Sequence, residues 1–535
     1  MEVNRQDFAS ASGISIKQVY TPEDTAHIDY SRDMGLPGEP PYTRGIYPEM
    51  YRRRLWTIRR YSGFGTPEET NHLFKREYEL GQTGLSVAFD VPVWNGIDSD
   101  HPMAFADVGA CGVAVSTVHD MRVIFEGLPI DEVGTSITCP TPSNLPLTAM
   151  YFAVAEERGI DLKRLSGTTL SDITTALGCA SSIYWTPPRS QMRLAVDLVE
   201  WCSQVAPQWH PVAIDSYNYR EQDVSAVQEM GLLLATAIGY IEEEKRRGRV
   251  SLGDFIRNFS FDMGCHNDFF EEIAKFRATR RMWCKIARER YGTTDPRCWQ
   301  FRFHAQTSGC THTTQEPYNN LIRIAYQSLA CALGGAQSMH ANSFEEGLCL
   351  PTDLGMLLSV RTEQIMQHET SVVNSVDPLG GSYYVEWLTS EVERQAWDYI
   401  QKIEDMGGIV AALESGWVHN EFRKAILEHE KKVASGERAI VGVNKFRLDE
   451  EPYKVPVFRA NPGAIDVQIE KLRKVKKERD SAAVGRALQK LRESTTGDEN
   501  VMPAVMEAVK AQATLGEVYD VWRDFYGIWQ KPMSA

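Results

Sequence analysis

One stretch decides the fold of this chain: Phe301-Arg302-Phe303-His304-Ala305-Gln306-Thr307-Ser308-Gly309. Its apolar and aromatic residues fall mostly on alternate positions, as in a β-strand, and a polar run ending in glycine follows, where a strand gives way to a loop. A strand that delivers His304, Gln306 and two hydroxyls to one end is typical of barrel enzymes. Taken alone, such a histidine and glutamine more often form a structural hydrogen-bonding pair than a functional site.

Strand-like and helix-like runs alternate between residues 66 and 345. We expect eight strands, at 83–92, 112–117, 134–140, 165–170, 211–216, 259–264, 299–307 and 338–343. Helices apolar at three- and four-residue spacing separate them, at 145–158, 191–205, 228–247, 269–291 and 316–333. This order predicts an α/β fold, a (β/α)8 TIM barrel, with a doubly wound sheet as the alternative.

Regions on either side of the barrel complete the expected organisation. An N-terminal arm, residues 1–45, is polar and turn-rich and needs another surface to order it. The substrate-binding barrel with its flanking helices spans 46–400, and a helical and linker region spans 401–535. Further helices are expected at 352–369, 385–406, 467–492 and 501–525, with a linker at 435–465. The last helix is amphipathic, which suits either a solvated tail or a docked partner.

Composition excludes several classes of protein. A formal charge of -15 and a pI near 5.4 argue against a nucleic-acid or anionic-membrane surface. The ten cysteines form no CxxC pair, which fits reduced thiols in a cytoplasm. No cationic-then-apolar leader and no long apolar run is present, so we expect a cytoplasmic protein without a membrane span.

The expected strand ends carry mostly polar side chains. They are Ser86, Asp90, Cys139, Thr168, Leu170, Tyr217, Asn218, Ser260, Asp262, His304, Gln306, His340, Asn342 and Glu346. This set offers amides, hydroxyls and a phenol, but no carboxylate pair, no Cys–His dyad and no metal cluster. Cys310-Thr311-His312 is half of a metal site that nothing nearby completes, so no metal site is expected. The rim is suited to holding a reactive species rather than to acid–base hydrolysis.

Five arginines interleaved with aromatic residues lie between positions 50 and 65. Because arginine forks match phosphate geometry, this cluster favours an anion site. The alternative is a solvated surface of snorkelling side chains.

Seven motifs together resemble the large subunit of adenosylcobalamin-dependent acyl-CoA mutases, the methylmalonyl-CoA mutase family. They run colinearly, at 57–64 (TIRRYSGF), 84–90 (GLSVAFD), 98–102 (DSDHP), 304–309 (HAQTSG), 337–343 (QSMHANS), 350–353 (LPTD) and 442–445 (GVNK). The resemblance implies an isomerase in which coenzyme A threads the barrel axis and the acyl skeleton rearranges by radical chemistry supplied by the cofactor.

The resemblance also assigns residues. Catalytic roles fall to Tyr61, the aromatic wedge beside the substrate, and to Tyr217, Asn218 and Gln306. Substrate binding falls to Met50, Arg54, Arg59, Ser86, Thr168, Leu170, Ala180 and Ser260, and cofactor binding to His304, Gln306, Gln337, Asn342 and Glu346. Glu346 matches the carboxylate that holds the adenosyl ribose.

Departures from the family pattern bear on the substrate. Where methylmalonyl-CoA mutase has a Gln and an Arg that meet a free carboxylate, this chain has Leu170 and Ala180. An unpaired buried charge costs several kcal/mol, so the resemblance implies an acyl group without a carboxylate. Asn218 replaces a His beside the migrating carbonyl and donates a hydrogen bond without acting as an acid. Tyr61 and Ala88 differ from the Ile and Asp of 2-hydroxyisobutyryl-CoA mutases, and isobutyryl-CoA mutases have Phe at the wedge. Methylmalonyl-CoA mutase proper and these two mutases remain alternatives.

The Asp-x-His-x-x-Gly motif that supplies the lower cobalt ligand in fused members is absent from this sequence. The resemblance therefore implies a separate small cobalamin-binding subunit, a G-protein chaperone, and a homodimer of large subunits within a heterotetramer.

Two rival hypotheses stay open. One is a metal-dependent barrel hydrolase using His266, His304, His312 and His340. The other is a degenerate CoA-binding scaffold without activity, against which stands the retention of Tyr61, Gln306, Asn342 and Glu346.

Overall fold

Nine parallel strand segments form one sheet in a computed structural model that describes residues 8–179, 185–450 and 454–532. The spatial order is β1-β9-β8-β7-β6-β5-β4-β3-β2. The segments are β1 (Thr57–Ile58), β2 (Tyr61–Ser62), β3 (Gly84–Ala88), β4 (Gly134–Thr138), β5 (Gly167–Leu170), β6 (Trp209–Asp215), β7 (Phe259–Cys265), β8 (Phe303–Thr307) and β9 (Ser338–His340).

The sheet closes on itself through β1 and β2. They stand at opposite ends of the spatial order, yet only Arg59 and Arg60 separate them in the chain. β1 pairs with β9, and β2 pairs with β3. Between them, the Arg59 amide donates to Met339 O at 2.9 Å, and Ile58 O accepts from the Thr83 amide at 3.0 Å. The segment 57–62 is therefore the first of eight barrel positions, and the predicted TIM barrel is confirmed.

Two assignments within that prediction are wrong. Residues 112–117 form no strand, and only Val113 makes isolated bridges, to Gly65 and Phe89. The first strand is instead 57–62, for which the sequence predicts an arginine-rich anion site and a family motif but no strand. Its inward side chains, among them Arg59, are polar because they face a cavity, so the segment lacks the apolar alternation by which a strand is recognised.

Helices surround the barrel and extend beyond it. In the described residues they are α1 (Pro67–Glu79), α2 (Val91–Trp94), α3 (Val118–Ile124), α4 (Asn144–Glu157), α5 (Pro188–Val205), α6 (Tyr217–Arg220), α7 (Ala226–Arg247), α8 (Leu252–Ile256), α9 (Phe269–Lys285), α10 (Pro296–Trp299), α11 (Asn319–Gly334), α12 (Asp353–His368), α13 (Tyr383–Asp405), α14 (Ile409–Glu414), α15 (Trp417–Ser435), α16 (Ala464–Glu478), α17 (Ser481–Thr496), α18 (Met502–Lys510) and α19 (Leu515–Tyr526). None of them combines the length and apolarity that a bilayer crossing requires.

The C-terminal helices differ from the prediction in number. The expected helix 467–492 is two, α16 and α17, because Asp480 stops the first and caps the second by accepting hydrogen bonds from the amides of Ala482 and Ala483. The expected helix 501–525 is likewise α18 and α19, with Thr514 capping the latter. α14 and α15 were not predicted.

The final helix packs on the barrel itself. Asp98 accepts hydrogen bonds from the Thr514 hydroxyl at 2.7 Å and the Gly516 amide at 2.9 Å, and α18 lies against α4. Tyr519 and Trp522 are fully buried there. The apolar face of α19 therefore contributes to the core of this chain rather than forming a solvated tail.

The N-terminal segment is ordered by two barrel helices. Arg280 of α9 donates to Tyr42 O at 2.9 Å and to Thr43 O at 2.7 Å, and Tyr20 packs its ring on Tyr384 and Trp387 of α13. Residues 8–45 thus obtain their structure from contacts with the rest of the chain.

Candidate active site

An open cavity of about 300 Å³ runs along the barrel axis. Inward positions of β4 to β9 line it with small or polar side chains, among them Ser136, Thr168, Ser260 and Ser338. A TIM barrel axis is usually filled by layers of Val, Ile and Leu. The substitution of small hydroxyl residues for that packing leaves the axis open to a long, thin ligand.

The mouth of the cavity lies at the amino-terminal ends of the strands. The residues that line the mouth lie in the chain just before the strands. They include Tyr47, Arg54, Glu132, Ser166, Arg302 and Gln337. Gln337, which the resemblance assigned to the cofactor, lies at this mouth and accepts a hydrogen bond from the Phe303 amide at 2.9 Å.

Hydroxyl groups on three neighbouring strands satisfy one another in the cavity wall. Thr168 donates to Ser136 Oγ at 2.8 Å, and Thr138 Oγ1 lies 3.1 Å from Ser136 Oγ and 2.9 Å from Ser86 Oγ. This relay fixes the side-chain rotamers, so the wall is polar but rigid. Ser86 supports the wall by holding Thr138.

The arginine cluster divides into parts with different surroundings. Arg54 is exposed at the mouth, and Arg59 lies inside, donating to Ser338 Oγ at 3.3 Å. Arg60 points outward, is 1% exposed, and lies 3.7 Å from Glu77. Met50 is outside the cavity lining and packs with Tyr42 and neighbouring apolar residues. Only Arg54 and Arg59 of this segment's arginines face the cavity.

A second group of polar side chains gathers at the carboxyl-terminal end. Gln306 Nε2 donates to Asn342 Oδ1 at 3.0 Å, and the Asn342 amide donates to Thr307 Oγ1 at 2.8 Å. The Tyr61 amide lies 3.3 Å from His340 Nδ1. Gln306 and Asn342 are therefore hydrogen-bonded to each other, and the backbone of Tyr61 lies beside His340 of β9.

His304 lies deeper than Gln306. It lines the axial cavity, and its Nδ1 is 2.7 Å from Ser338 Oγ. Burial, assisted by Arg59, holds the pKa of His304 well below its usual value, so the ring is neutral. Along β8 it lies between the mouth and the carboxyl-terminal group.

Carboxylates near the carboxyl-terminal end have raised pKa values. Glu346 is reached by solvent yet recessed, and desolvation raises its pKa to about 7 against the opposing effect of Arg60. Glu221 accepts from the Cys310 amide at 2.8 Å, and desolvation raises its pKa to about 8. A Cβ on Gly309 would lie 3.0 Å from Glu221 and 3.4 Å from the Tyr217 hydroxyl, which places Tyr217 at this end as well.

The expectation of no carboxylate pair is wrong. Asp215 and Asp262 are directly paired in register on β6 and β7. Desolvation and the nearby Asp172 raise the pKa of Asp215 to about 7. Asp262 is among the strand-end residues expected from the sequence and Asp215 is not, because the sequence does not show how β6 and β7 pair in register. The signal that was available is an acidic residue near the end of two consecutive strands.

The inner end of the cavity has an apolar side. Leu170 is 2% exposed and lines the cavity with Ala213, its register partner on β6. Ala180 is the other position where methylmalonyl-CoA mutase has a residue that meets a free carboxylate. It lies outside the described residues.

Histidines do not converge on a metal site as the hydrolase hypothesis requires. Within the described ranges, the group of potential ligands is Asp223, His266 and Cys310, with ligand atoms within 4.8 Å of one another. The Arg438 guanidinium lies 3.3 Å from His266 Nε2 and supplies a positive charge where the ion would sit. His304, His312 and His340 are not part of this group.

A TIM barrel with an open, hydroxyl-lined axis and an amide-rich carboxyl-terminal end is typical of an enzyme with an elongated binding site. Sequence comparison gives the family. The model of the methylmalonyl-CoA mutase family matches residues 9–528, and the chain belongs to that family and is an isomerase.

Three relatives illustrate the match. The chain is 37% identical to the 2-hydroxyisobutanoyl-CoA mutase large subunit of Aquincola tertiaricarbonis, over 98% of this chain and 93% of that protein. It is 39% identical to the methylmalonyl-CoA mutase of Escherichia coli K12, over 96% of this chain and 71% of that protein. It is 36% identical to the human mitochondrial methylmalonyl-CoA mutase, over 96% of this chain and 68% of that protein.

Proposed function

We propose that the chain is the large, substrate-binding subunit of an adenosylcobalamin-dependent mutase that rearranges the carbon skeleton of an acyl-CoA without a free carboxylate. The observation that carries this proposal is the open axial cavity, whose inner end is lined by Leu170 and Ala213. The polar group around Gln306 lies farther along β8, two residues beyond His304 of the lining. Coenzyme A enters by the mouth, and its pantetheine arm lies along the hydroxyl wall.

The mouth binds the charged part of coenzyme A through Arg54. Replacing Arg54 by alanine should weaken binding of coenzyme A about tenfold, because one charge-assisted contact to a phosphate is lost (~1.4 kcal/mol). Titration calorimetry measures this, and the difference should shrink as salt is added. Arg53→Ala is the matched control, because Arg53 is exposed but does not line the cavity. Equal losses in both variants would show that Arg54 makes no specific contact.

The carboxyl-terminal end fits adenosylcobalamin by the chemistry of its side chains. Gln306, Asn342, Tyr217 and Glu346 offer hydrogen bonds to amide and ribose groups, and Glu346 is open to solvent there. In the segment after β8, Ser308 Oγ and both ring nitrogens of His312 are buried and have no hydrogen-bond partner among the described residues, so these atoms can still bond to a ligand. When bound, the cofactor supplies the radical. The residues of this chain orient the acyl group and keep water out.

A small cobalamin-binding subunit supplies the lower cobalt ligand in this proposal. The name of the Aquincola relative, a large subunit matched over 93% of its length, supports it. The present sequence holds no Asp-x-His-x-x-Gly motif. We further propose a homodimer of large subunits within a heterotetramer, assisted by a G-protein chaperone.

The acyl preference follows from Leu170. A substrate carboxylate beside this buried leucine would be desolvated without a partner, at a cost of several kcal/mol. The test is a panel of matched acyl-CoA esters, with branched hydrocarbon, hydroxylated and carboxylated acyl groups, on the complex reconstituted with its small subunit and adenosylcobalamin. Product analysis should show isomerisation of uncarboxylated esters. Turnover of the carboxylated ester alone would contradict the proposal in favour of methylmalonyl-CoA mutase proper. If the chain binds these esters but no ester turns over, it is a CoA-binding scaffold.

A further inference from the structure

Asp262 presents an unused carboxyl group to the axial cavity. The residue lies on the inward face of β7, is partly buried, and lines the cavity near its inner end with Leu170 and Ala213. Its Oδ1 is buried and makes no hydrogen bond within the described parts of the chain. Leaving a buried polar oxygen unpaired is unfavourable, so a ligand group that pairs with it gains binding free energy.

The surroundings of Asp262 favour its neutral, acid form. Desolvation and the adjacent carboxyl of Asp215 raise its pKa well above the ordinary value, and Glu229 of α7 acts in the same direction. Arg59, from the first strand, opposes the shift, and His304, its register partner on β8, is neutral. A neutral carboxyl group is a hydrogen-bond donor, which an ionised one is not.

Asn218, the donor expected beside the reacting carbonyl, is engaged elsewhere. Its backbone amide donates to Asp215 Oδ1 at 3.2 Å, and its side-chain Nδ2 donates to Asp215 Oδ2. These bonds turn Asn218 toward Asp215. Asp215 in turn adjoins Asp262 through the β6–β7 register.

We propose that Asp262 is a catalytic residue that donates a hydrogen bond to the thioester carbonyl oxygen of the bound acyl-CoA. This rests on the proposed function only in taking an acyl-CoA as the ligand. Every acyl-CoA carries this carbonyl at the junction of the pantetheine arm and the acyl group, so the contact does not depend on which acyl group is bound. The proton stays on Asp262 throughout. The hydrogen bond polarises the carbonyl and holds its orientation while the skeleton changes.

The direct test is isotope-edited infrared spectroscopy of isobutyryl-CoA labelled with carbon-13 at the thioester carbonyl, bound to the full chain. A hydrogen bond lowers the carbonyl stretching frequency. We expect a lowered frequency with the wild type and with Asp262→Asn, which keeps a neutral donor, and a higher one with Asp262→Leu. Asp398→Asn, an exposed substitution on α13, is the control and should match the wild type. The same frequency in the wild type and Asp262→Leu would overturn the proposal.

Kinetics of the reconstituted complex give a second readout. We expect kcat to fall at least about tenfold in Asp262→Leu and to be largely kept in Asp262→Asn. Because the acid form is the donor, wild-type kcat should decline as the pH rises through the raised pKa of Asp262. Asp262→Asn should lack that decline, and an unchanged pH profile in this variant would contradict the assignment. A frequency shift without any turnover would uphold the carbonyl contact and refute the mutase function instead.

Discussion

Replacing Lys275 by methionine should lower the free energy of unfolding by about 3–5 kcal/mol, the range found when one partner of a buried ion pair is removed. The Lys275 ammonium is fully buried and donates to Glu229 at 2.7 Å, to Gly264 O at 2.7 Å and to Glu272. Arg220 alone would then face both carboxylates. Urea unfolding followed by tryptophan fluorescence measures the loss.

The same cluster connects the stability of the fold to the site. Glu229 Oε1 accepts from Ser216 Oγ and from the Gly264 amide, each at 3.0 Å, and so ties the ends of β6 and β7 together. Lys424→Met is the control, because Lys424 is exposed and its pair with Glu421 should contribute no more than about 1 kcal/mol. Similar unfolding midpoints for both variants would show that Lys275 is not needed to hold the cluster.

Replacing Thr168 by phenylalanine should weaken acyl-CoA binding at least about a hundredfold, equivalent to about 2.7 kcal/mol. Thr168 projects into the middle of the cavity wall, and a phenyl ring there would occupy the space along the axis. The barrel should still fold, because the ring enters an existing cavity. Titration calorimetry with isobutyryl-CoA measures the loss.

Thr168→Val is the matched control for the blocking variant. It keeps the volume of threonine and removes only the hydroxyl that donates to Ser136 at 2.8 Å. The valine variant should therefore bind the ester within a few fold of the wild type. Undiminished binding by Thr168→Phe would show that coenzyme A does not pass along the axis.

The sequence predicts the barrel well and its first strand poorly. Strands such as β7 and β8 carry buried apolar residues at alternate positions, among them Phe259, Phe261 and Phe303, and this alternation identifies them. The segment 57–62 carries Arg59 on its inward face because that face borders a cavity. Its polar inward residues remove the apolar alternation by which a strand is recognised. Residues 112–117 are mostly apolar because they are buried beside Phe89. This pattern resembles that of a strand, but the residues form no β-ladder.

The site was predicted in its parts but not in its arrangement. Gln306 and Asn342 are hydrogen-bonded and the Tyr61 amide lies beside His340, because parallel strands bring their carboxyl-terminal ends to one side of a barrel. Asn218 is hydrogen-bonded to Asp215, and Gln337 lies at the mouth, at the amino-terminal ends of the strands. These features depend on side-chain rotamers and on where each strand begins, which a sequence pattern does not show.

The most direct test of the account is the visible absorbance of adenosylcobalamin when an uncarboxylated acyl-CoA is mixed with the reconstituted complex of this chain and its small subunit. We expect a rapid spectral change from cobalt–carbon bond homolysis that depends on the acyl-CoA and is abolished by Thr168→Phe. An unchanged spectrum with every branched and straight-chain acyl-CoA would contradict it.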